Sequence, residues 1–272
     1  MPELPEVETV RRGIEPLICG KTVTGVTVRN ASLRWPVAND LEQRLCGGKV
    51  VSLNRRSKYL LIDFTKGTLI IHLGMSGYLR SLQQGEERLK HDHVELCFDD
   101  GTVLVYNDAR RFGFILWTTD DPLRHERLVN LGPEPLSDVF SAAHLHRLAQ
   151  RRKSVAIKPF LMDSKVVVGV GNIYASEALF MAGVDPRRKA CCITLDECQQ
   201  IVAAVQAVLK DAIAAGGTTI CDFKNSSGKP GYFQQQLHVY GRDGEPCSRC
   251  GKPIVIARLG QRSSYFCGNC QR

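Results

Sequence analysis

The residues best suited to chemistry stand in Met1-Pro2-Glu3-Leu4-Pro5-Glu6. A small second residue licenses removal of an initiator Met, and the terminus so uncovered is a proline secondary amine. Such an amine attacks an aldehyde-level carbon and forms an iminium ion, an electron sink that keeps its charge without losing another proton. Glu3 places beside it a carboxylate able to shuttle a proton. Pro5, the acidic Glu6 and Glu8, and the stripe Val7, Val10, Ile14 predict a helix just behind the amine, with Pro5 at its first position. The positive end of that helix disfavours the protonated amine. From this stretch alone, an ordinary capped helix at an exposed terminus is the simpler reading.

A second constellation is Cys247-x2-Cys250 and Cys267-x2-Cys270. Two such knuckles can set four thiolates tetrahedrally around one zinc ion, and a closed set of four ligands makes the metal structural. The remaining cysteines (Cys19, Cys46, Cys97, Cys191, Cys192, Cys198, Cys221) have no ligand spacing and read as reduced, small hydrophobes. Between the knuckles, Pro253–Arg258 and Gln261–Phe266 alternate like strands around Leu259-Gly260. The expected hairpin carries Arg262, Ser263 and Ser264 near its tip, where an Arg can press against a phosphate.

Weaker signals lie between. Gly169 and Gly171 open a helix at Asn172, where backbone N–H groups can hold a phosphate, and Arg151-Arg152-Lys153 and Lys158 lie just upstream. Gly74-Met75-Ser76-Gly77 sets a flexible apolar side chain in a glycine-flanked turn. Arg110-Arg111-Phe112-Gly113 joins a guanidinium to an aromatic ring. Exposed side chains of this kind can wedge between base pairs and fill the hole left by an extruded nucleotide, whereas Met75 or Phe112 taken alone reads first as a core residue. Lys58, after Arg55 and Arg56, can anchor a phosphate. His91-Asp92-His93 is a weak metal pair, and a phosphate-contacting His91 is the better functional reading.

The elements that must hold these residues follow from composition and pattern. The chain has 272 residues, 43% hydrophobic and 24% charged, which suits two globular domains and a small appendage. A net charge of +8 and a pI near 9.0 favour a polyanionic partner, nucleic acid first. Positive charge concentrates toward the C-terminus, with Lys224, Lys229, Arg242, Arg249, Lys252, Arg258, Arg262 and Arg272 against Asp243 and Glu245. No apolar run reaches membrane-span length and the N-terminus is acidic where a signal peptide is basic, so the expected location is the cytoplasm.

From Lys21 to Trp117, short β-branched runs and an Asp100-Gly101 hairpin signal predict a sandwich of antiparallel sheets with the first helix packed beside it. Leu131-Gly132-Pro133-Glu134-Pro135 reads as a linker. Helical periodicity follows: from Ser141 to Gln150, Asn172 to Ala182 and Thr194 to Ala215, the last ending at Gly216-Gly217. Thr218 to Gln236 reads as a long loop.

Taken together, Pro2-Glu3-Leu4-Pro5-Glu6-Val7-Glu8, the Gly169-Val170-Gly171-Asn172 turn and the four-cysteine module resemble the formamidopyrimidine-DNA glycosylases, a family of bifunctional repair enzymes. The resemblance runs from Pro2 to the final knuckle. It implies an α+β multidomain fold: an N-terminal β-sandwich with its helix (1–131), a helix-two-turn-helix domain (132–224), a loop remainder (225–237) and a zinc β-hairpin finger (238–272). Double-stranded DNA carrying oxidised purines or abasic sites is the implied partner, bound by a monomer at the nucleoid in the cleft between domains. One structural zinc and no organic cofactor are implied.

Position by position, the resemblance makes Pro2 the nucleophile at the sugar C1′, Glu3 the acid that protonates the opening sugar, and Glu6 a support for that site. Lys58 matches a phosphate-contacting lysine also described as a proton donor for β-elimination, and Arg262 the finger arginine assigned to δ-elimination and phosphate binding. The high pKa of a guanidinium makes Arg262 better as a clamp than as a proton donor. Met75, Arg110 and Phe112 match the void-filling trio, with Arg110 facing the orphaned cytosine. His91, Arg152, Lys158 and Asn172 match DNA contacts. Thr218–Phe233 matches a lesion-sensing loop in which Cys221 replaces the basic residue of many relatives. Rivals are a related glycosylase for oxidised pyrimidines, a non-catalytic zinc-containing DNA-binding protein, and a finger used only to bind protein.

Overall fold

A computed structural model describes residues 2–82, 86–217 and 237–272. The chain forms two compact units, Met1–Val129 with Ala215–Gln234, and Asn130–Ala214 with Gln235–Arg272. The lesion-loop segment matched to Thr218–Phe233, with Cys221, lies outside the described residues.

The first unit is a sandwich of two four-stranded antiparallel sheets. One has the order β1 (Val23–Val28), β6 (Asp92–Phe98), β7 (Val103–Asn107), β5 (Tyr78–Leu82); the other runs β2 (Val50–Arg56), β3 (Tyr59–Phe64), β4 (Gly67–His72), β8 (Phe114–Thr118). Asp100-Gly101 turns β6 into β7, with Gly101 at φ +85°. The short helix α2 (Leu41–Leu45) precedes β2.

Helix α1 (Leu4–Ile18) lays Val7, Val10, Ile14 and Ile18 into the same core as Leu53, Leu60 and Ile62 of one sheet and Val94, Leu96 and Leu104 of the other. Each such side chain, removed from water, contributes about 1.5–3 kcal/mol, so the helix behind Pro2 is fixed by its apolar stripe. It begins at Leu4, which makes Pro5 the second helical residue rather than the first. The reason is that Glu3 takes the cap position.

The second unit is helical, with a hairpin appended. Ser141 caps α3 (Ala142–Ala149), its hydroxyl accepting the His144 N–H at 3.2 Å. Then come α4 (Ile157–Leu161), α5 (Asn172–Met181) and α6 (Leu195–Ala214). Ile201, Val205, Val208, Leu209 and Ala212 form the buried stripe of α6, which stops before Gly216 and Gly217 at φ +79° and +83°.

Strands β9 (Val255–Leu259) and β10 (Arg262–Phe266) pair with Leu259 opposite Arg262, so the turn is Gly260-Gln261, one residue later than the alternation suggests. Gly260, at φ +61°, takes the left-handed first turn position that favours glycine. That register buries Ser264 completely instead of leaving it at the tip, while Arg262 and Ser263 stay exposed. Among the described residues, no helix is long and apolar enough to cross a membrane.

Candidate functional site

Pro2 is buried at the head of α1, and Glu3 and Glu6 are buried with it. Glu6 Oε2 accepts the Glu3 backbone N–H at 2.8 Å, which fixes the chain direction at Pro2 and satisfies a donor at the helix start. Gly217 lies against this carboxylate: a Cβ there would sit 3.3 Å from Glu6 Oε1. One turn on, Glu8 holds Arg11, Arg12 and Arg55. Burial opposes its ionisation, yet the hydrogen bonds of Arg11 and Arg12 and the charges of Arg11 and Arg55 outweigh burial and hold its carboxyl below the ordinary value.

Arg55 carries this link to Lys58. Its Nε donates to Glu8 at 3.1 Å and its Nη1 to the Ser57 carbonyl at 2.9 Å. Ser57 and Lys58 form the two-residue turn between β2 and β3, with Ser57 in the left-handed region at φ +57°. Lys58 is half-buried. Both α1 and the Lys58 turn are thus referred to one carboxylate, Glu8.

His72, which the sequence did not single out, ends β4. Its Nδ1 accepts the Gly74 N–H at 3.0 Å, and its ring stacks on Phe114 at 5.2 Å. Burial first, then the charges of Lys58 and Arg34, push its pKa down to about 4, so the ring is neutral at physiological pH. Gly74, at φ +64°, starts the Met75 turn; a Cβ there would collide with the backbone of Phe112 and Gly113. The Met75 and Phe112 turns therefore touch. Met75 is half-buried, Phe112 is 44% exposed, and the Arg110 guanidinium covers the Phe112 ring at 4.7 Å. Phe112 is not a core residue.

His91 is half-buried near this edge. The alternative of a metal pair in His91-Asp92-His93 fails. The Asp92 carboxylate accepts from Arg80, the Leu89 N–H and Asn107, each at 2.8 Å, and His93 Nε2 lies 2.8 Å from the Asp108 carbonyl.

In the second unit, Lys158 is 1% exposed rather than surface-displayed. Its ammonium donates to Asn172 Oδ1 at 2.8 Å and to the Ser263 carbonyl and Ser264 Oγ, both at 2.9 Å. A lysine has three donors, so these bonds hold Lys158 inside, joining α4, the start of α5 and the β10 strand that carries Arg262. Arg152 is exposed beside Asp163 at 3.4 Å. Glu177 on α5 is another residue the sequence left unmarked. Its buried carboxylate accepts the N–H groups of His238, Val239 and Tyr240 at 2.8, 3.0 and 2.8 Å, anchoring the entry to the finger.

The four sulfurs of Cys247, Cys250, Cys267 and Cys270 lie within 4.8 Å of one another. The Cys247–Cys270 and Cys250–Cys267 separations are 3.9 and 3.5 Å. Zinc–sulfur bonds of about 2.3 Å in a tetrahedron require edges of about 3.8 Å, so the donor set fits zinc. The Arg249 N–H donates to Cys247 Sγ at 3.4 Å, the outer support such thiolates need. This is a structural zinc site.

The comparisons with known proteins agree along the whole chain. Residues 1–115 match the formamidopyrimidine-DNA glycosylase N-terminal domain, 131–224 the H2TH domain of the same enzymes, and 244–272 a zinc finger found in FPG and IleRS. The chain belongs to the formamidopyrimidine-DNA glycosylase family. A formamidopyrimidine-DNA glycosylase of Methylococcus capsulatus is 55% identical over 272 residues, covering 100% of both chains. One of Pseudomonas entomophila is 54% identical over the same span.

Among solved glycosylase structures, the MutM (Fpg) protein of Thermus thermophilus aligns with a TM-score of 0.88 at 36% identity, covering 99% of this chain and 98% of that one. The Lactococcus lactis Fpg bound to abasic-site DNA aligns at 0.90 and 32%, covering 99% of each. Membership of that family accounts for the α+β architecture of sandwich, helical domain and finger in one chain.

Proposed function

We propose that this chain is a base-excision repair enzyme that flips oxidised purines out of duplex DNA, removes the base through a Pro2 iminium intermediate and nicks the strand by β,δ-elimination. The observation that carries the proposal is Pro2 at the head of a capped, core-anchored helix, with Glu3 beside it, in a chain that matches its glycosylase relatives end to end.

With Met1 removed, the Pro2 nitrogen forms a bond to C1′ with its lone pair, the base leaves with the electrons of the broken C1′–N bond, and the nitrogen then loses its proton, so that the freed pair closes the C1′=N iminium as the C1′–O bond of the sugar ring breaks. Glu3 protonates the sugar oxygen as the ring opens. The resulting iminium acidifies C2′; loss of that proton expels the 3′ phosphate, and a second elimination expels the 5′ phosphate. Lys58 and Arg262 hold the flanking phosphates, Arg262 as a clamp. His91, Arg152 and Asn172 bind the backbone, and Lys158 acts through Asn172, because its own donors are engaged. Met75, Arg110 and Phe112 fill the void, offsetting an extrusion cost of a few kcal/mol. Catalysis falls to residues 1–131, DNA grip to 132–224 and phosphate clamping to 238–272.

That Fpg and MutM relatives were solved with abasic-site, carbocyclic 8-oxo-G and Fapy-dG DNA supports the substrate class. The test is borohydride trapping with mass spectrometry on 8-oxoguanine, formamidopyrimidine and thymine glycol duplexes. Expected is an adduct at Pro2 with the two purine lesions. A protein retaining Met1 that nicks at full rate, or one that prefers thymine glycol, overturns the reading.

A further inference from the structure

No motif singles out Asp108, yet the turns of the first unit converge on it. The side chain is fully buried just after β7. Its Oδ1 accepts the Ser76 hydroxyl at 2.7 Å, and the Arg110 N–H is shared between Ser76 Oγ at 3.1 Å and Asp108 Oδ1 at 3.3 Å. Its Oδ2 accepts the Gly113 N–H at 2.8 Å and the Tyr106 hydroxyl at 3.2 Å. The main chain adds to this: the Asp108 N–H donates to the His91 carbonyl at 3.1 Å, and its carbonyl accepts the Arg111 N–H at 3.2 Å.

Ser76 follows Met75, Gly113 follows Phe112, and Arg110 is held directly. Every wedge side chain is therefore within one residue of a bond to one carboxylate. The two turns also meet at Gly74 and Gly113, where a Cβ on Gly74 would collide, and Arg111 is kept in the left-handed region at φ +54°. The two oxygens of one carboxyl side chain can take N–H and O–H donors from several chain segments together, and the Tyr106 hydroxyl and Arg110 N–H also reach the His72 carbonyl and Ser76 Oγ, which ties the same cluster further.

We propose that Asp108 is a positioning residue that locks the Met75 turn and the Arg110–Phe112 turn into one rigid block, so that the wedge enters the duplex as a unit. This rests on the reading that Met75, Arg110 and Phe112 fill the extrusion void. A wedge whose parts move independently leaves water where the base was. Asp108 sets the height of Met75 relative to Phe112 before DNA arrives, as preorganisation requires.

The experiment compares Asp108→Asn, Ser76→Ala and Phe112→Ala with the unmodified protein. One arm is single-turnover excision from an 8-oxoguanine duplex, with 2-aminopurine beside the lesion reporting eversion. The other is borohydride trapping on a single-stranded abasic oligonucleotide, which has no void to fill. Asn keeps the volume but turns an NH₂ toward N–H or O–H donors. Expected for Asp108→Asn is slower eversion and a loss of about tenfold or more on the duplex, with unchanged single-strand trapping.

Ser76→Ala shifts the same ratio by less, and combined with Phe112→Ala it is non-additive. If Asp108→Asn does not fold, the Ser76→Ala ratio and its coupling to Phe112→Ala decide. Equal loss in both arms, or an unchanged duplex rate, overturns the role of Asp108 while Phe112→Ala still slows the duplex reaction. If Phe112→Ala also has no effect on the duplex, the void-filling reading fails and this proposal with it.

Discussion

The Glu6 carboxylate accepts the Glu3 backbone N–H at 2.8 Å, so the acid beside Pro2 is held by the first turn of the helix it precedes. An acceptor, not a charge, is what this bond requires, and Gln serves in capping boxes as well as Glu. Glu6→Gln is expected to keep the wild-type melting temperature. Glu6→Ala loses about 1 kcal/mol, a typical cap value, and melts a few degrees lower by calorimetry. Equal losses in both variants would show that Glu6 acts through its charge.

His72 supplies a pH dependence whose sign is fixed. Its unfolded pKa is about 6.5, and burial pushes it down to about 4 in the folded protein. Between those values the unfolded chain binds the extra proton, so stability rises with pH. The contribution is complete above pH 6.5 and is lost as pH falls toward 4, by about 3 kcal/mol. Urea titrations across that window should show it. His72→Asn keeps an acceptor for the Gly74 N–H and should flatten the slope by about one proton.

How far the sequence discloses such relationships depends on their range. Helices α3, α5 and α6, the Asp100-Gly101 turn and the cysteine pairs are written in local periodicity or spacing, and they lie where the pattern puts them. Pro2, Glu3, Met75, Arg110 and Phe112 are named by motif, and the Arg110–Phe112 stacking fits their adjacency. Lys158 is different. Its sequence place, beside a phosphate-holding turn, reads as a DNA contact, and only a hairpin more than a hundred residues away, at Ser263 and Ser264, makes it a buried cation. Asp108, Glu177 and His72 were invisible for the same reason: each is defined by donors that tertiary pairing delivers. The β9–β10 turn lies one residue later than the Leu259-Gly260 pair suggests because Gly260, left-handed at φ +61°, takes the first turn position.

The contrast between Lys158 and Arg262 separates a structural cation from a phosphate contact. Each neutralised phosphate steepens the dependence of binding on salt by about 0.9 in the log–log slope. Arg262→Ala should weaken DNA binding and reduce the slope by about one, measured by fluorescence anisotropy from low to moderate salt. Lys158→Met should leave the slope nearly unchanged, because the ammonium bonds are internal. It should instead lower stability, by about 1–3 kcal/mol, through the buried Ser264 hydroxyl and the half-buried Asn172 carbonyl that lose their donor. Equal slope changes in both variants would mean that Lys158 reaches phosphate after all.

Zinc removal should dissociate the finger from the rest of the fold. The apolar cluster that seats the finger is small, consisting of Phe180 of α5 with Val239, Cys247, Ile254 and Cys267, and Tyr265 and Cys270 beside them. A two-stranded hairpin is marginal by itself, whereas zinc supplies about 10–16 kcal/mol in small finger units. The sandwich has a core of its own and contains both tryptophans, Trp35 and Trp117. A chelator strong enough to strip zinc should therefore leave the tryptophan emission native while β9 and β10 unfold, Arg262 loses its placement and Lys158 loses Ser263 and Ser264. DNA binding and strand cutting should disappear together and return on adding zinc. Cys267→Ser should behave like the chelated protein, since its sulfur is fully buried among the ligands. If chelation abolishes tryptophan structure along with binding, the sandwich depends on the metal; if it changes neither binding nor cutting, the four cysteines do not brace the finger.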